Sequence, residues 1–529
     1  MHTAQRTLPG VLRAAASRYV DREAVVDGET RLTYTELHER VRRTAAALIA
    51  LGVEKGDRVC IWAPNSWQWE VLALAVTYAG GTLTPVNTRY TGHEAADVVA
   101  RTGAKVLAVA DGFLGRSQCD ELASAASERG LTLPAVVRLP YGGSSAGHPT
   151  EGVVAWEELE RFAGQVSEGE VEHRAGQVDP EDVADILFTS GTTGRSKGAC
   201  SAHRQVVSVA DAWATCGEVT SRDRYLVANP FFHSFGYKAG IVVALLTGAT
   251  VVPQAVFDVT ETFRLIEQER ITVLPGAPAI YQAMLESPER EKHNLSSLRL
   301  AVTGAAMVPV ALVERMQTEM GVDTVLTAYG LTEAVVATMC RPGDEDTLVA
   351  NTCGRATAGL EVRVARPGSN EPLPAGGEGE VLLRGENVML GYLDDPGATA
   401  EAVDGDGWLH TGDIGHLDED GYLKITDRLK DVFIVGGFNV YPAEVEQVLA
   451  RLDGVVESAV VGVPDERLGE VGHAFVVRRQ GSELDERAVL AHARERLANY
   501  KVPRGITFVD DLPRNPSGKV LKRELRSNP

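Results

Sequence analysis

The chain has 529 residues, 44% of them hydrophobic, and a formal net charge of −21, so it can bury a large core that divides into at least two domains. The acidic balance disfavours nonspecific binding to nucleic acid or anionic membranes, because the long-range field repels phosphate. Six cysteines without CxxC spacing or paired histidines indicate reduced thiols, and not a disulfide framework or zinc site. With neither a signal-peptide core in the first twenty residues nor an apolar run of about 18 residues, we expect a cytoplasmic protein.

The N-terminal part alternates helical and strand-like segments. Thr33-Tyr-Thr-Glu36 is a capping box ahead of an amphipathic run that ends at Gly52. Strand-like apolar segments follow at 59–63, 106–110, 183–188, 225–228, 250–252, 272–274 and 300–302. This alternation predicts layered α/β architecture.

The sequence pattern changes after about residue 350, where shorter strand-like segments and glycine-rich turns indicate a small β-rich, barrel-like subdomain. Beyond Arg428, a strand-like segment at 432–435, a helix started by Pro442 and strand-like segments at 458–461 and 474–477 predict a compact βαββ unit. We therefore predict two layered α/β subdomains and the β-rich subdomain in a domain over 1–427, and a small mobile α+β domain over 428–529.

The most informative motif is Thr189-Ser-Gly-Thr-Thr-Gly-Arg-Ser-Lys-Gly198, which follows the strand-like segment 183–188. Its glycines let backbone N–H groups approach an anion, and its hydroxyls and Lys197 add donors and positive charge. Ser196 precedes Lys197 and Gly198 follows it, so this is not a Walker A motif. A surface linker is the alternative, but the motif indicates a loop that holds the phosphates of a nucleotide.

Two carboxylates lie in glycine-containing motifs further along the chain. Glu333 ends Tyr329-Gly-Leu-Thr-Glu333, and beside a phosphate loop it is a candidate magnesium ligand, with a solvated helix-start carboxylate as the alternative. Asp413 ends Thr411-Gly-Asp413, where we expect a turn and a carboxylate that accepts both ribose hydroxyls; a turn-capping aspartate is the alternative.

Three further residues are candidates for the site, and each also has an interpretation without a role in function. Lys519, in a loop of proline and glycine, is either presented to an anion or simply solvated. His233 follows an aromatic cluster and is either a core residue or, with Tyr237 at i+4 on a helix, the lining of an apolar pocket. Lys238 would then point away, so we predict a surface lysine, with a hydrogen bond to a substrate ketone as the alternative.

Together these motifs, with Asp427 to Glu446 and Pro513 to Lys519, closely resemble the adenylate-forming enzyme superfamily over nearly the whole chain. The superfamily includes acyl-CoA synthetases, luciferases and the adenylation domains of peptide synthetases. Among them the chain is most similar to acyl-CoA synthetases, because Phe235 and Gly236 stand where an aspartate would grip an α-amino group.

The resemblance implies a two-step reaction in which a carboxylate displaces pyrophosphate from ATP to give acyl-AMP, and the thiol of coenzyme A then displaces AMP. It implies a magnesium ion on Glu333, a hydrogen bond from Thr332 to the α-phosphate, and a catalytic Lys519 that bridges carboxylate and triphosphate. The residues implied to bind ATP are Thr189, Ser190, Gly191, Thr192, Thr193, Gly194, Lys197, Gly304, Ala305, Ala306, Tyr329, Gly330, Thr332, Asp413 and Arg428.

The small domain is implied to swing about Lys430 between the two steps. The residues implied to pass the coenzyme A arm are Val435, Gly436, Gly437 and Phe438. The acyl pocket is implied to contain His233, with a catalytic contact to the carboxylate, and Tyr237, Lys238, Ile280, Val335 and Val336.

Segments 233–240, 274–278 and 327–330 look most like actinobacterial ligases of steroid breakdown, which activate the propanoate side chain of a hexahydroindanedione ring system. A ligase of medium-chain fatty or aryl acids, an acyl-AMP ligase that loads a carrier protein, and a nucleotide-binding protein without catalysis are the alternatives. The expected small-molecule partners are the acid, ATP and coenzyme A, with no nucleic acid partner, and a homodimer is left open.

Overall fold

The computed structural model describes residues 6–141, 152–189, 196–304, 308, 310–429, 431–435, 438–465, 468–497, 499–514 and 520–527. Its contacts divide the chain into unit 1, residues 1–361 and 384–409, and unit 2, residues 362–383 and 410–529. The boundary predicted at 427/428 separates a large domain from a small mobile domain. Because it was predicted as a point of movement, it stays a prediction. In the described residues no helix is both long and apolar enough to cross a membrane.

The strands are, in chain order, β1 Glu23–Asp27, β2 Thr30–Thr33, β3 Arg58–Trp62, β4 Thr82–Pro85, β5 Val106–Ala110, β6 Ala135–Leu139, β7 Val153–Ala155, β8 Val183–Phe188, β9 Gly198–Ala202, β10 Arg224–Val227, β11 Thr250–Pro253, β12 Val273–Gly276, β13 Leu300–Gly304, β14 Thr324–Tyr329, β15 Thr338–Met339, β16 Arg355–Ala356, β17 Leu360–Ala365, β18 Gly379–Gly385, β19 Gly391–Tyr392, β20 Leu409–Leu417, β21 Leu423–Arg428, β22 Phe433–Val435, β23 Phe438–Val440, β24 Val455–Asp465, β25 Gly469–Arg478 and β26 Gly505–Val509.

The α-helices are α1 Leu8–Tyr19, α2 Tyr34–Ala50, α3 Trp67–Tyr78, α4 Gly92–Thr102, α5 Gln118–Arg129, α6 Leu159–Ala163, α7 Glu168–Gly176, α8 His203–Cys216, α9 Ser234–Gly236, α10 Val243–Thr247, α11 Val259–Glu269, α12 Pro278–Glu286, α13 Val310–Met320, α14 Asp346–Asn351, α15 Pro396–Ala402, α16 Pro442–Leu449, α17 Glu486–Arg496 and α18 Lys522–Arg526. A π-helical segment at Tyr237–Val242 joins α9 to α10, and short 3₁₀ turns lie at Phe113–Gly115, Trp156–Glu158 and Pro288–Lys292.

Unit 1 is built on two large, mostly parallel sheets, as the alternation of segments predicts. Their strand orders are β16-β15-β14-β13-β12-β10-β11-β1-β2 and β19-β9-β8-β4-β3-β5-β6-β7. Each sheet is apolar on both faces: along β3, Val59 and Ile61 join one core, and Cys60 and Trp62 join another. Strands covered on both faces by helices are typical of parallel α/β sheets, so the predicted fold class is confirmed.

The capping box predicted ahead of α2 is present. Thr33 Oγ1 accepts from the Glu36 N–H at 3.2 Å, and the Thr33 N–H donates to Glu36 Oε2 at 2.8 Å. Two of the N–H groups that a helix start leaves unpaired are therefore satisfied, which fixes where α2 begins.

Unit 2 holds the predicted small β-rich subdomain, an open four-stranded sheet in the order β17-β18-β20-β21. It also holds the C-terminal α+β body, with the order β23-β22-β25-β24 and β26 beside β25. Val445 and Leu449 of α16 pack with Val476 of β25 in the core of this body. The predicted Pro442 helix and its neighbouring strands are confirmed, and the short strand β23 and the edge strand β26 are additions.

Candidate active site

The phosphate-loop motif connects the two strands of a β-hairpin. Strands β8 and β9 pair antiparallel, and the Thr189 N–H donates to Lys197 O at 2.8 Å, which closes the loop at its base. Residues 190–195, and with them the predicted ligands Ser190 to Gly194, lie outside the described residues. The buried strand predicted ahead of the loop is confirmed, since residues 184–187 are buried.

Lys197, Glu333 and Tyr392 come together beside this hairpin. Lys197 Nζ lies 4.9 Å from the centroid of the Tyr392 ring, and the Tyr392 hydroxyl donates to Glu333 Oε1 at 2.7 Å. Burial, and then the Glu333 carboxylate, raise the pKa of Tyr392, so this hydroxyl keeps its proton and remains a donor. The phosphate-loop cation and the predicted metal ligand thus share one neighbour.

Tyr392 reaches this place because β19 pairs antiparallel with β9, with Tyr392 opposite Ala199. The Met389 N–H also donates to Glu333 O at 2.7 Å, which ties the two segments by their backbones. Tyr392 lies 59 positions from Glu333 in the sequence, and sequence reasoning missed it. An aromatic residue after Gly391 in a short strand is the one local signal it offers.

Tyr329 ends β14, and Leu331 to Val335 form a tight turn after it, in which the N–H groups of Ala334 and Val335 both donate to Leu331 O. A Cβ placed on Gly330 would lie 1.4 Å from Val335 O, so this position excludes every other residue unless the turn moves. Val335 itself has a φ of 47°, a left-handed conformation that a β-branched residue adopts only at a cost of about 1–3 kcal/mol. Backbone strain of this kind is concentrated at binding and catalytic sites.

Gly304 and Tyr329 lie at the carboxyl ends of neighbouring parallel strands, with Gly304 paired with Ala328. A Cβ on Gly304 would lie 2.4 Å from Ala328 O. Ligands of α/β sheets bind beyond the carboxyl ends of such strands, which fits the predicted placement of Gly304 and Tyr329 around a nucleotide. Ala305 and Ala306 lie outside the described residues.

His233 retains contact with solvent although protein surrounds it. Its side chain is exposed, yet the surrounding protein lowers the pKa of its imidazole by desolvation. Nδ1 accepts from the Phe235 N–H at 3.1 Å. The predicted role of His233 in an acyl pocket stays a prediction.

The other predicted pocket residues differ in burial. Ile280 and Val335 are half-buried, whereas Tyr237 is 0% exposed and Val336 is 3% exposed within the largest core. The structure therefore presents Ile280 and Val335 toward solvent and packs Tyr237 and Val336 inside.

The predicted surface position of Lys238 is wrong. Lys238 is 1% exposed, with Nζ 3.0 Å from Asp185 Oδ1 and donating to Ser201 Oγ at 2.9 Å. The prediction assumed the α-helical period, but residues 237–242 are π-helical, and that wider turn changes which side chains face inward. A lone lysine within an apolar run, and the lone Asp185 within an apolar strand, are the sequence signal for this buried pair.

Asp413 and Arg428 are paired in unit 2. They lie directly opposite each other on β20 and β21, and Asp413 is 2% exposed. The expected turn at 411–413 is wrong, because these residues continue β20 with Gly412 at a φ of 67°. The strand pairing still brings the two predicted ribose ligands to one place in the fold.

The predicted residues of the second step are only partly described. Val435 is 3% exposed in the core of the C-terminal body, so only its backbone is free to meet a ligand. Phe438 begins β23. Lys430, Gly436, Gly437 and Lys519 lie outside the described residues.

The residues beside the phosphate loop suit a magnesium-nucleotide complex. The described residues contain no group of three or more histidine, cysteine or acidic side chains that could hold a metal alone. Magnesium is commonly bound by one or two carboxylates together with substrate phosphates and water, and Glu333 beside Lys197 offers that kind of donor set.

Comparison with known proteins gives the class that this fold and site define. Residues 12–393 match the AMP-binding enzyme family, and residues 444–519 match the AMP-binding enzyme C-terminal domain. The chain belongs to the AMP-binding enzyme family.

The relatives narrow this class. The chain is 57% identical over 520 residues to 3-[(3aS,4S,7aS)-7a-methyl-1,5-dioxo-octahydro-1H-inden-4-yl]propanoyl:CoA ligase of Rhodococcus jostii (strain RHA1), covering 98% of each chain. It is 56% identical to the ligase of the same name from Mycobacterium tuberculosis (strain ATCC 25618 / H37Rv), again over 98% of each. The solved structure of ATP bound MatB from Rhodopseudomonas palustris shares 34% identity and a TM-score of 0.87, covering 99% of this chain and 98% of that one. The chain is an AMP-forming acyl-CoA synthetase, which uses ATP and coenzyme A.

Proposed function

We propose that this synthetase activates the propanoate side chain of a hexahydroindanedione acid derived from a steroid. The observation that carries the substrate is the 57% identity, over nearly the full length of both chains, to a ligase named for that acid. The carboxylate of the acid is placed at His233, whose side chain is exposed and whose pKa the surrounding protein lowers by desolvation. Cytoplasmic operation and a homodimeric state remain predictions.

In the first step, a carboxylate oxygen of the acid attacks the α-phosphorus of ATP, and pyrophosphate leaves. Thr189 to Lys197 hold the β- and γ-phosphates, Thr332 donates to the α-phosphate, and Tyr329 stacks on adenine. Glu333 would hold Mg²⁺, which supplies positive charge to the phosphates. The phosphate and magnesium roles are supported by the contacts that Lys197 and Glu333 both make with Tyr392.

Lys519 reduces the electrostatic repulsion of that step, in which two anions, the carboxylate and the triphosphate, must approach each other. A cation that bridges carboxylate and triphosphate lowers the barrier by about 3–4 kcal/mol, or roughly 10²–10³ in rate. Asp413 and Arg428 hold the ribose, a role supported by their direct pairing on β20 and β21.

In the second step, the sulfur of coenzyme A attacks the acyl carbon, the bond from that carbon to the AMP oxygen breaks, and the thiol proton is released. We propose that the C-terminal domain turns about Lys430, withdraws Lys519 and brings Val435 to Phe438 to the pantetheine arm. Glycines at 436 and 437 leave room for that arm. The same active site then catalyses adenylation and thioester formation, because the C-terminal domain presents a different face to it in each step.

A pyrophosphate-release screen tests the substrate. Purified protein receives ATP, Mg²⁺ and, in turn, hexahydroindanedione-propanoate, fatty acids of graded length and aryl acids. We expect the hexahydroindanedione acid to give the highest kcat/KM, and a higher value for a fatty or aryl acid would contradict the assignment. Supplying acyl-AMP with coenzyme A or with a holo-carrier protein separates the ligase from one that loads a carrier.

A further inference from the structure

The ion pair of Lys238 and Asp185 is the most deeply buried opposite-charge contact in the described part of unit 1. The two side chains are 1% and 0% exposed, with 3.0 Å between Nζ and Oδ1. Ser201, 5% exposed, accepts a hydrogen bond from the same ammonium at 2.9 Å. Burial raises the pKa of Asp185, and the charge of Lys238 opposes that shift.

The position of the pair in the fold links two parts of the proposed site. Asp185 and Ser201 face each other across β8 and β9, the hairpin strands that the phosphate-loop motif connects. Lys238 lies on the segment that starts at His233 and continues through α9 into the π-helix. One ammonium group therefore attaches both strands of the phosphate-loop hairpin to the segment that presents His233.

A contribution to folding stability does not by itself explain why this ion pair is buried. Removing two charges from water costs several kcal/mol per ion, and well-packed apolar residues in their place are often neutral or stabilising. Buried ionic groups are best attested where they fix one arrangement of the chain against others. The π-helical segment at 237–242 also favours a functional role for Lys238, because such segments occur frequently at functional sites.

We propose that Lys238 is a positioning residue that couples binding of the acid at His233 to the pairing of β8 and β9, the strands that flank the phosphate loop. This inference rests on the proposed function, since it takes His233 to meet the acid and the loop to meet ATP. When the bound acid fixes the position of the His233 segment, Lys238 holds Asp185 of β8 and Ser201 of β9 in register, and ATP binds more tightly. By linkage, ATP strengthens binding of the acid by the same factor.

Four variants separate this role from a structural one. Lys238→Met and Asp185→Asn each remove one charge, the double variant removes both, and Ile241→Val shortens a buried neighbour on the same π-helical segment without touching the pair. The single variants leave one buried charge without its partner and should be less thermostable. The double variant should recover most of the thermal stability, and Ile241→Val should resemble the wild type in all assays.

The deciding readout is the affinity for an ATP analogue with a methylene bridge between the α and β phosphorus atoms, measured by calorimetry with and without the acid. We expect the acid to tighten analogue binding about tenfold in the wild type and in Ile241→Val, and less than twofold in the double variant. A folded double variant that keeps the wild-type coupling, or a wild type without coupling, would overturn the role of Lys238. Failure of the wild type to release pyrophosphate with this acid would contradict the proposed substrate, and calorimetry then uses whichever acid the screen shows to be adenylated.

Discussion

Replacing Tyr392 by phenylalanine tests the arrangement beside the phosphate loop. The change removes only the hydroxyl that donates to Glu333 Oε1 at 2.7 Å and keeps the ring below Lys197. A hydrogen bond to a charged group contributes about 1.5–3 kcal/mol, which equals roughly 10- to 150-fold in an equilibrium constant. Losing the residue that orients a metal ligand typically costs about 10–100-fold in affinity or activity. We expect the KM for Mg-ATP to rise by about 10–100-fold.

The assay is pyrophosphate release over a range of Mg-ATP concentrations, joined by calorimetry of analogue binding. Tyr34→Phe is the control, because it removes a tyrosine hydroxyl elsewhere in unit 1, whose single proton is shared between Ala244 O and Ala249 O. Tyr392→Leu should weaken binding further, since it also removes the contact with Lys197, worth about 0.5–1 kcal/mol. If Tyr392→Phe costs as much in a Glu333→Gln background as in the wild type, the hydroxyl does not act through Glu333.

Three further outcomes are expected. Lys519→Ala should abolish acyl-AMP formation and spare thioester formation from supplied acyl-AMP, whereas Gly437→Leu should do the reverse; loss of the same half-reaction in both would contradict the domain exchange. Gly330→Ala should lower pyrophosphate release at least 100-fold, because its Cβ would lie 1.4 Å from Val335 O, and near-normal turnover would show that the turn is not rigid. Burial lowers the pKa of His203 to about 4, so the unfolded state, with a pKa near 6.5, binds more protons below pH 7, and unfolding free energy should fall by about 2 kcal/mol from pH 7.5 to pH 5. His203→Asn should remove that part of the pH dependence in denaturant titrations, and an unchanged dependence would refute it.

Local sequence signals were enough for the elements that depend on local chemistry. The capping box at Thr33 to Glu36 fixes the start of α2 through two hydrogen bonds within four residues. The mostly apolar segment at 183–188, interrupted by Asp185, is strand β8, because a short apolar run of that length is typical of a buried strand. The helix that begins at Pro442 was predicted from another local signal, the preference of proline for the first position of a helix.

Features set by distant parts of the chain could not be predicted in this way. Tyr392 meets Glu333 only because β19 adds to the edge of β9, and no local pattern encodes that pairing. Lys238 was assigned to the surface because an α-helical period was assumed where the segment is π-helical. Asp413 was assigned to a turn from its glycine neighbour, but pairing with β21 extends the strand through Gly412. For Asp413, strand pairing overrides the local preference of the glycine for a turn.

Oxygen transfer tests the central claim, an acyl-adenylate formed at the phosphate loop, most directly. Hexahydroindanedione-propanoate labelled with ¹⁸O in both carboxylate oxygens is turned over with ATP and coenzyme A, and the nucleotide product is analysed by mass spectrometry. Attack of the carboxylate on the α-phosphorus predicts one ¹⁸O in the phosphate of AMP for each thioester formed. Unlabelled AMP, or ADP with labelled inorganic phosphate, would contradict the account.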